Sequence, residues 1–418
     1  MQAVIIAAGE SSRFWPLSNG RHKCQIKICG RSLIYWTIKS IVDQGIRDIV
    51  IVTRPDAVLR EELSPAAAEL GVKLSFVSQE KPLGTGQAVS LAEKYIKEPF
   101  FVFWPYKIIA GQLIRSALDL LEETKSEVVL AGSYTTTPWD FGIFRMEGDR
   151  IAEIVENPAK GQEPSRVKIL GAYFLQPDFF TYYHRLPNHH PEDFVDALNL
   201  YIKDKKTGLL LRDEDVPVLK YPWQFLDLAR IKLNSMPEYI SPTAKIGENV
   251  AISGKVFIED KAVIGAGTII EGPCYIGSNC QVGFNNVFRG PVNLEKDVKT
   301  GAFTELKNCV IQEGTHLHSG YVGDSAIGRN CRFGAGFIAG NRRIDRQNIM
   351  SQVKGEKIDT GLTSLGAMTG DEVKFGIQSG TMPGVLIGSS AMVGPGTLVF
   401  ENLKDGSKLS TRFEQKKE

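Results

Sequence analysis

Aliphatic side chains recur at every sixth residue through the second half of the chain. In one phase of this repeat the residues are Ile246, Ile252, Ile258, Ile264, Ile270, Ile276 and Val282, continued by Phe288 and Leu294. An α-helix turns by about 600° over six residues and would scatter these side chains. A triangular coil of short parallel strands would instead place them in one interior row. Glycine follows several of them, as in Ile264-Gly265, and permits the tight bend that a corner needs.

The six-residue phase breaks twice and then returns. It resumes at Ile327, Phe333 and Ala339, and again at Phe375, Thr381, Ile387, Val393 and Val399. The pattern therefore predicts a parallel β coil with two insertions, near residues 312–321 and 341–368.

The charge balance and hydropathy exclude several classes of protein. Lysine and arginine number 49 against 48 aspartate and glutamate, a net charge of +1, so no overall field favours nucleic acid or an anionic membrane. No apolar stretch reaches the roughly 18 residues of a membrane helix, and residues 4–8 are too short for a signal peptide. We therefore expect a cytoplasmic protein without nucleic-acid or membrane partners, whose six cysteines are reduced and bind no metal.

Residues 1 to about 235 follow a different rhythm. Buried-strand patterns at 3–7, 48–53, 74–77 and 100–104 alternate with helical spacings, which predicts an α/β fold with a Rossmann-like parallel sheet. Ligands of such sheets bind beyond the carboxyl ends of the strands. Further patterns predict an antiparallel extension at 146–155 and 168–175 and helices at 192–203 and 223–236. Pro237 and Pro242 mark a boundary, so we expect domains at 1–236 and 237–418.

Small residues and hydroxyls follow the first predicted strand, in Gly9-Glu10-Ser11-Ser12-Arg13. The backbone N–H groups of such a loop can wrap phosphate oxygens, and a guanidinium adds a forked donor. Together with Lys23 and the segment Gln79-Glu80-Lys81-Pro82-Leu83-Gly84-Thr85-Gly86, this loop resembles the sugar-1-phosphate nucleotidyltransferases over residues 1–236.

The resemblance implies a role for each matching residue. Arg13 and Lys23 would be catalytic, because they would neutralise the transferring phosphate. The nucleotide base and the sugar would contact Gln79, Gly84 and Thr85, and Gly142 and Glu156, respectively.

The residues that hold magnesium in that family are replaced in this chain. Where the family has a Gly-Asp pair after its fourth strand, this sequence has Pro105 and Tyr106, and residues 218–221 contain no carboxylate. Mg²⁺ needs hard oxygen ligands and neutralises charge on the reacting phosphate. We therefore expect no metal-binding residues, doubtful use of Mg²⁺, and a first domain that binds a nucleotide or nucleotide sugar but transfers poorly.

A second set of polar residues lies in the hexapeptide half. Arg289 and Lys307 are 18 residues apart, so three six-residue steps stack them on one face and make an anion site. His318 and Tyr321 follow, and Gly334-Ala335-Gly336 leads to Asn341. Imidazole, with a pKa near 6.5, can take the proton of an attacking amine at neutral pH. His316 is the alternative base.

With these residues the whole chain resembles the bifunctional GlmU-like family of glucosamine-1-phosphate N-acetyltransferases/N-acetylglucosamine-1-phosphate uridylyltransferases, nearest to its archaeal-type members. The resemblance implies a left-handed parallel β-helix of hexapeptide repeats, acetyl-CoA as co-substrate, and a homotrimer. It makes His318 the general base, and it assigns the sugar phosphate to Arg289, Lys307 and Tyr321. Asn341 would contact the substrate amine, and the thioester arm would lie near Gly334, Ala335, Gly336 and Ser379.

Three functions follow from these features. The first is an acetyl-CoA-dependent N-acetyltransferase acting on an amino-sugar 1-phosphate of the glucosamine-1-phosphate type, with a weak nucleotidyltransferase-like domain. The second is an active sugar-1-phosphate nucleotidyltransferase that uses UTP or dTTP. The third is a non-catalytic regulatory or scaffolding subunit that binds nucleotide sugars and assembles with an active paralogue.

Overall fold

The structure is a computed structural model that describes residues 1–18, 20–55, 57–214 and 216–414. It contains two compact units. The first consists of Met1–Glu10 and Leu33–Val218, and the second of Ser11–Ser32 with the chain from Leu219 onward. The domain boundary expected after residue 236 stays a prediction. The second unit contains the segment Ser11–Ser32 and the helix Phe225–Ser235 in addition to the coil.

A mixed nine-stranded sheet with helices forms the first unit. Its strands are β1 (Gln2–Ala7), β2 (Asp48–Thr53), β3 (Lys73–Ser78), β4 (Phe100–Phe103), β5 (Val128–Tyr134), β6 (Gly142–Glu147), β7 (Arg150–Glu156), β8 (Val167–Leu175) and β9 (Thr207–Arg212). Its helices are α1 (Leu33–Val42), α2 (Val58–Leu70), α3 (Thr85–Ser90), α4 (Ala110–Thr124), α5 (Phe179–His184) and α6 (Asp193–Asp204), with short 3-10 turns at Glu93–Tyr95 and Pro138–Asp140.

The strand order of this sheet is β9-β5-β8-β4-β1-β2-β3. Strands β1 to β4 run parallel, as their continuous apolar runs predict for strands covered on both faces. Strand β8 runs antiparallel between β4 and β5, and the hairpin of β6 and β7 continues from it. The predicted antiparallel extension is therefore confirmed, although β8 lies inside the main sheet. Helices α2, α4 and α5 and strands β5 and β9 were not predicted.

A triangular coil of parallel strands dominates the second unit. The first face contains Tyr239–Ile240, Val256–Ile258, Cys274–Ile276, Met368–Thr369 and Leu386–Ile387, and the third contains Ala251–Ser253, Ile269–Glu271, Phe337–Ala339, Gly380–Thr381 and Leu398–Val399. The second face contains Lys245–Ile246, Val263–Ile264, Gln281–Val282, Lys299–Thr300, His316–Leu317, Arg332–Phe333, Lys374–Phe375, Met392–Val393 and Lys408–Leu409. Three longer strands, Val287–Leu294, Thr304–Ile311 and Gly320–Ile327, run from the third face round a corner onto the first.

The hexapeptide residues form the interior of the coil, but in three rows and not in the single row expected. Each six-residue step advances one third of a turn, so residues 18 apart stack, as Ile246, Ile264 and Val282 do. Ile264 is 1% exposed and lies in the core, whereas Ile246 is 40% exposed on the first rung. Ile246 is exposed because it lies at the end of the stack of rungs.

The two expected insertions have different outcomes. The one near 312–321 is wrong, because the coil shortens there: Lys299 pairs with His316 and His316 with Arg332, spacings below 18 residues. The one near 341–368 is confirmed. Arg332 pairs next with Lys374, and the excursion between them contains a hairpin of Met350–Val353 and Glu356–Asp359.

Other elements of the second unit lie on the coil. The helix Phe225–Ser235 contacts its three longest strands, and the short hairpin Lys27–Ile28 and Arg31–Ser32 belongs to the segment Ser11–Ser32. Short 3-10 turns occur at Ser12–Phe14, Lys23–Gln25 and Pro222–Gln224. Across the described part of the chain, none of the helices combines the length and apolar character of a membrane span.

Candidate functional site

Arg289 and Lys307 lie side by side on adjacent rungs of the third face, as their spacing predicts. Both cations are paired with carboxylates that the sequence argument did not include: Arg289 with Glu305, and Lys307 with Asp324 at 3.2 Å. Glu305 is 40% exposed, and such exposed pairs contribute at most about 1 kcal/mol, so an incoming anion can replace it. Asp324 is buried and cannot leave as easily.

Asp324 connects the remaining polar residues of this corner. Its Oδ1 accepts a hydrogen bond from Asn308 Nδ2 at 2.7 Å, and its Oδ2 accepts one from Asn341 Nδ2 at 2.6 Å. Asn341 Nδ2 also donates to Tyr321 Oη at 2.9 Å. Partial burial and the nearby Asp324 carboxylate raise the pKa of Tyr321, so its phenol keeps its proton. The structure thus brings together four residues named from the sequence, Arg289, Lys307, Tyr321 and Asn341.

The sequence carries only a weak signal for Asp324. Its backbone has a φ of 49°, and many corners of the coil place Asn or Asp in this left-handed region, including Asn279, Asp297 and Asn330. These residue types tolerate the conformation. A corner aspartate therefore looks structural until its side-chain partners are known.

His318 lies at the corner between the second and third faces, directly after the strand His316–Leu317. Its backbone N–H donates to the Phe333 carbonyl at 3.0 Å, and its side chain is exposed. Tyr321 follows three residues later, on the strand Gly320–Ile327. Burial and the charge of Arg332 lower the pKa of His316. The His316 imidazole is therefore neutral at pH 7 and is a second candidate base beside His318.

Gly334, Ala335 and Gly336 form the same corner one rung further along the coil. A Cβ on Gly334 would lie 2.6 Å from the Ile377 nitrogen, and one on Gly336, whose φ is 74°, would lie 2.5 Å from Gln378 Nε2. The Gly336 N–H donates to Ser319 Oγ at 3.1 Å. Ser379 is buried on the next rung and donates to the Gly376 carbonyl at 2.7 Å. A Cβ at Gly334 or Gly336 would therefore lie too close to the next rung of the coil.

Arg13 and Lys23 lie in the segment Ser11–Ser32 of the second unit. Ser11 has a left-handed φ of 59°, and its Oγ accepts from the Lys23 N–H at 3.2 Å. Arg13 is exposed. Lys23 Nζ donates to the Leu219 carbonyl at 2.5 Å. Burial lowers the pKa of Lys23 to about 8, and the charge of Arg13 contributes to this shift.

The coil holds this segment through a column of acidic side chains. Lys27 pairs with Glu313 at 2.7 Å, and Arg21 with Asp371 at 3.4 Å. The Gly30 N–H donates to both carboxylate oxygens of Glu295, at 3.3 and 3.1 Å. Glu295 is 1% exposed, and burial raises its pKa to about 7. The sequence argument did not foresee these contacts.

Gln79, Gly84 and Thr85 lie in the first unit, where β3 leads into α3. Gln79 is buried, and its Nε2 donates to the Gly84 carbonyl at 3.0 Å. Gly84 has a φ of 113°, and a Cβ there would collide with the Pro191 carbonyl. Thr85 begins α3. The loop is thus held in one conformation that requires glycine.

Gly142 and Glu156 are paired across the hairpin of β6 and β7. A Cβ on Gly142 would lie 2.8 Å from Glu156 Oε1. Burial, followed by the charge of Glu192, raises the pKa of Glu156 to about 7. Burial also raises the pKa values of Tyr106 and Tyr173, and Tyr173 lies within the electrostatic reach of both Glu156 and Tyr106.

These residues do not fit a magnesium site built on a pair of carboxylates. Tyr106 stays a neutral phenol, and Glu156 is a single carboxylate that is only half ionised near pH 7. Among the residues that the structure describes, no cluster of three or more His, Cys, Asp or Glu side chains could hold a metal ion. Mg²⁺ prefers several hard oxygen ligands in octahedral geometry.

Two family models match the sequence. The model described as "Nucleotidyl transferase" matches residues 2–220, and the one described as "Bacterial transferase hexapeptide (six repeats)" matches residues 255–290. The coil is therefore the left-handed parallel β-helix of hexapeptide proteins, and it follows a Rossmann-like nucleotidyltransferase fold.

Similar proteins cover almost the entire chain. A protein named "Bifunctional protein GlmU" from Methanococcus maripaludis strain C7 is 36% identical over 412 residues, 97% of this chain and 96% of that protein. A "Bifunctional sugar-1-phosphate nucleotidylyltransferase/acetyltransferase" from Sulfurisphaera tokodaii is 31% identical over 411 residues, 97% of this chain and 99% of that protein.

A solved structure supports the fold of the first half alone. A putative glucose-1-phosphate thymidylyltransferase from Bacillus anthracis has a TM-score of 0.50 and 19% identity, covering 57% of this chain and 98% of that chain.

Proposed function

The chain belongs to the family of bifunctional sugar-1-phosphate nucleotidylyltransferase/acetyltransferases, and is therefore a transferase; from this premise we propose that it is an acetyl-CoA-dependent N-acetyltransferase acting on an amino-sugar 1-phosphate. Glucosamine 1-phosphate is the expected substrate type. The observation that carries this proposal is the cluster of Lys307, Asp324, Asn341 and Tyr321. His318 lies at the corner just before the strand that contains Tyr321 and Asp324.

The proposed chemistry transfers an acetyl group from sulfur to nitrogen. The neutral amine of the sugar attacks the thioester carbonyl, a C–N bond forms, and His318 takes the amine proton. The backbone N–H group of Ala335 stabilises the oxyanion, because those of Gly334 and Gly336 donate to Phe375 and Ser319. The C–S bond then breaks, and the leaving thiolate takes a proton from the imidazolium. Arg289, Lys307 and Tyr321 bind the phosphate during these steps.

For the first unit we propose binding of a nucleotide or nucleotide sugar with weak nucleotidyl transfer. The named relatives are bifunctional, so this weakness is a prediction about the present chain. Its support is the neutral phenol of Tyr106, which stands where the family has a carboxylate. In the first unit, Gln79, Gly84 and Thr85 would contact the base, and Gly142 and Glu156 the sugar. For Arg13 and Lys23, which belong to the second unit, we propose a phosphate-binding role.

We also propose that the protein is a homotrimer whose subunit clefts complete the acetyl-CoA site. Support comes from a column of exposed apolar side chains on the corner that contains His318: Phe284 is 62% exposed, Phe303 70% and Ile377 57%. Such a column is typical of an interface. A monomer in light scattering would contradict this part of the proposal.

Thiol release and pyrophosphate release on one preparation test the function. We expect wild-type protein to release CoA from acetyl-CoA with glucosamine 1-phosphate, and His318→Asn to lose about 10²- to 10⁴-fold in kcat. His316→Asn, two residues earlier, is the matched control. If His316→Asn loses activity and His318→Asn keeps it, the base is His316.

The pyrophosphate assay uses UTP or dTTP with a sugar 1-phosphate and Mg²⁺. Slow release that rises in Tyr106→Asp is expected from the missing carboxylate, and fast wild-type release would favour the active nucleotidyltransferase. Thermal shifts with nucleotide sugars but no turnover in either assay would favour the regulatory subunit that works with an active paralogue.

A further inference from the structure

One buried carboxylate organises the residues assigned to the sugar phosphate. Asp324 is 3% exposed and accepts hydrogen bonds from Asn308 Nδ2, Asn341 Nδ2 and Lys307 Nζ at 2.7, 2.6 and 3.2 Å. An ionised carboxylate only accepts, so every group that faces it must turn a donor towards it. A buried carboxylate that lost these donors would carry a large desolvation cost. The donors are therefore held strongly in place.

This requirement determines the orientation of the Asn341 side-chain amide. Its Nδ2 has two hydrogens, of which one goes to Asp324 and the other to Tyr321 Oη at 2.9 Å. The reversed amide would set a carbonyl against the carboxylate, which is repulsive. The Asn341 carbonyl oxygen consequently faces away from both partners and is available to accept a hydrogen bond from a ligand.

The same chain of hydrogen bonds orients the phenol of Tyr321. Because Tyr321 Oη accepts from Asn341, its own hydrogen can be donated elsewhere. Lys307 Nζ has three hydrogens and uses one for Asp324. The corner therefore presents one acceptor, from Asn341, beside two donors, from Tyr321 and Lys307.

We propose that Asp324 is a positioning residue that makes the site specific for an amino-sugar phosphate. It turns the Asn341 carbonyl towards the N–H of the amine, and the Tyr321 hydroxyl and the Lys307 ammonium towards phosphate oxygens. This inference rests on the proposed function, which assigns these residues to the sugar phosphate. It adds the residue that sets their hydrogen-bonding direction.

Gly323 provides an independent observation for the same arrangement. It pairs with Lys307 across adjacent rungs, and a Cβ at this position would overlap Tyr321 Oη and lie 2.9 Å from Asn341 Nδ2. The close approach of Tyr321 and Asn341 thus requires glycine at 323. Gly323→Ala should separate these two side chains and leave Asp324 intact.

Calorimetric titration of the full-length protein with glucosamine 1-phosphate and with 2-deoxyglucose 1-phosphate, which has no donor at C2, tests the proposal. Wild type should bind the amino sugar more tightly. In Asp324→Asn, where the Asn341 amide can reverse, we expect affinity for glucosamine 1-phosphate to fall roughly 10- to 100-fold and the preference to disappear. The KM for acetyl-CoA should change less than about twofold, a difference that a general loss of structure would not produce.

Asp297→Asn is the matched control, because Asp297 is also a corner aspartate with positive φ, 61°, and it should behave as wild type. If Asp324→Asn fails to fold, Gly323→Ala decides, with the same loss of preference expected. Unchanged affinity and preference in the folded Asp324→Asn, or in Gly323→Ala, would overturn the inference. If wild type itself binds neither sugar phosphate, the proposed function fails first, so the two failures are distinct.

Discussion

Replacing Glu295 with glutamine should make the protein less sensitive to rising pH. Glu295 is 1% exposed, and burial, opposed by hydrogen bonds from Asn293 and Gly30 and by the charge of Lys27, raises its pKa to about 7 from 4.5. Its folded-state pKa is raised, so it causes no loss of stability below about pH 4.5. Stability falls as pH rises from about 4.5 to 7, because the carboxyl ionises in the unfolded chain while burial keeps it protonated in the folded state.

The size of the effect follows from the shift. At about 1.4 kcal/mol per pKa unit, a rise of two to three units predicts a total loss of about 3 kcal/mol, of which roughly 2 to 3 kcal/mol falls between pH 5 and pH 8. Glutamine does not ionise and should not show this loss. It can still accept a hydrogen bond from Gly30, and any change in hydrogen bonding gives an offset that is the same at every pH.

The assay is urea unfolding of wild type and Glu295→Gln at pH 5, 6, 7 and 8, with hydrogen exchange of the Gly30 amide as a local measurement. The difference in unfolding free energy, variant minus wild type, should rise with pH. Glu313→Gln is the control: this carboxylate is 30% exposed in its pair with Lys27, and such pairs contribute less than about 1 kcal/mol. A difference that is constant or falls from pH 5 to pH 8 would refute the reasoning.

Two further predictions concern the proposed binding sites. Gly336→Ala should raise the KM for acetyl-CoA, because the φ of 74° strains alanine and its Cβ would lie 2.5 Å from Gln378 Nε2. The control is Gly361→Ala, which has a similar φ of 69° but open space around it and should leave this KM unchanged. The affinity for UTP or dTTP should fall as pH rises through 8, because the Lys23 ammonium with a pKa of about 8 loses its proton there. Calorimetry on Lys23→Arg, which stays charged, should show no such fall. A fall of equal size in this variant would show that Lys23 is not the group responsible.

Regular patterns account for most of the fold that was predicted. The six-residue repeat identified the coil, and alternating apolar runs identified strands β1 to β4 of the first unit, because burial imposes a period on the sequence. The prediction failed where the period became irregular. The coil shortens by one or two residues around His316, and a shortened rung and an insertion interrupt the sequence pattern in the same way.

The candidate site was only partly visible in the sequence. Stacking of Arg289 and Lys307 followed from their spacing and is observed. Their carboxylate partners, Glu305 and Asp324, were missed because each pair joins different rungs. The resemblance grouped Arg13 and Lys23 with Gln79, Gly84 and Thr85, whereas the structure assigns the two cations to the second unit and the other residues to the first.

The sequence by itself determined the period of the coil, the alternation of the first half and the residue types of both candidate sites, because these depend on neighbours a few residues apart. Tertiary structure alone decided which cations are neutralised, which way the Asn341 amide points, and that the coil holds the segment Ser11–Ser32 through Glu295, Glu313 and Asp371. Those outcomes depend on the direction and burial of side chains far apart in the chain, and a hydrogen bond forms only when both partners are brought within about 3 Å.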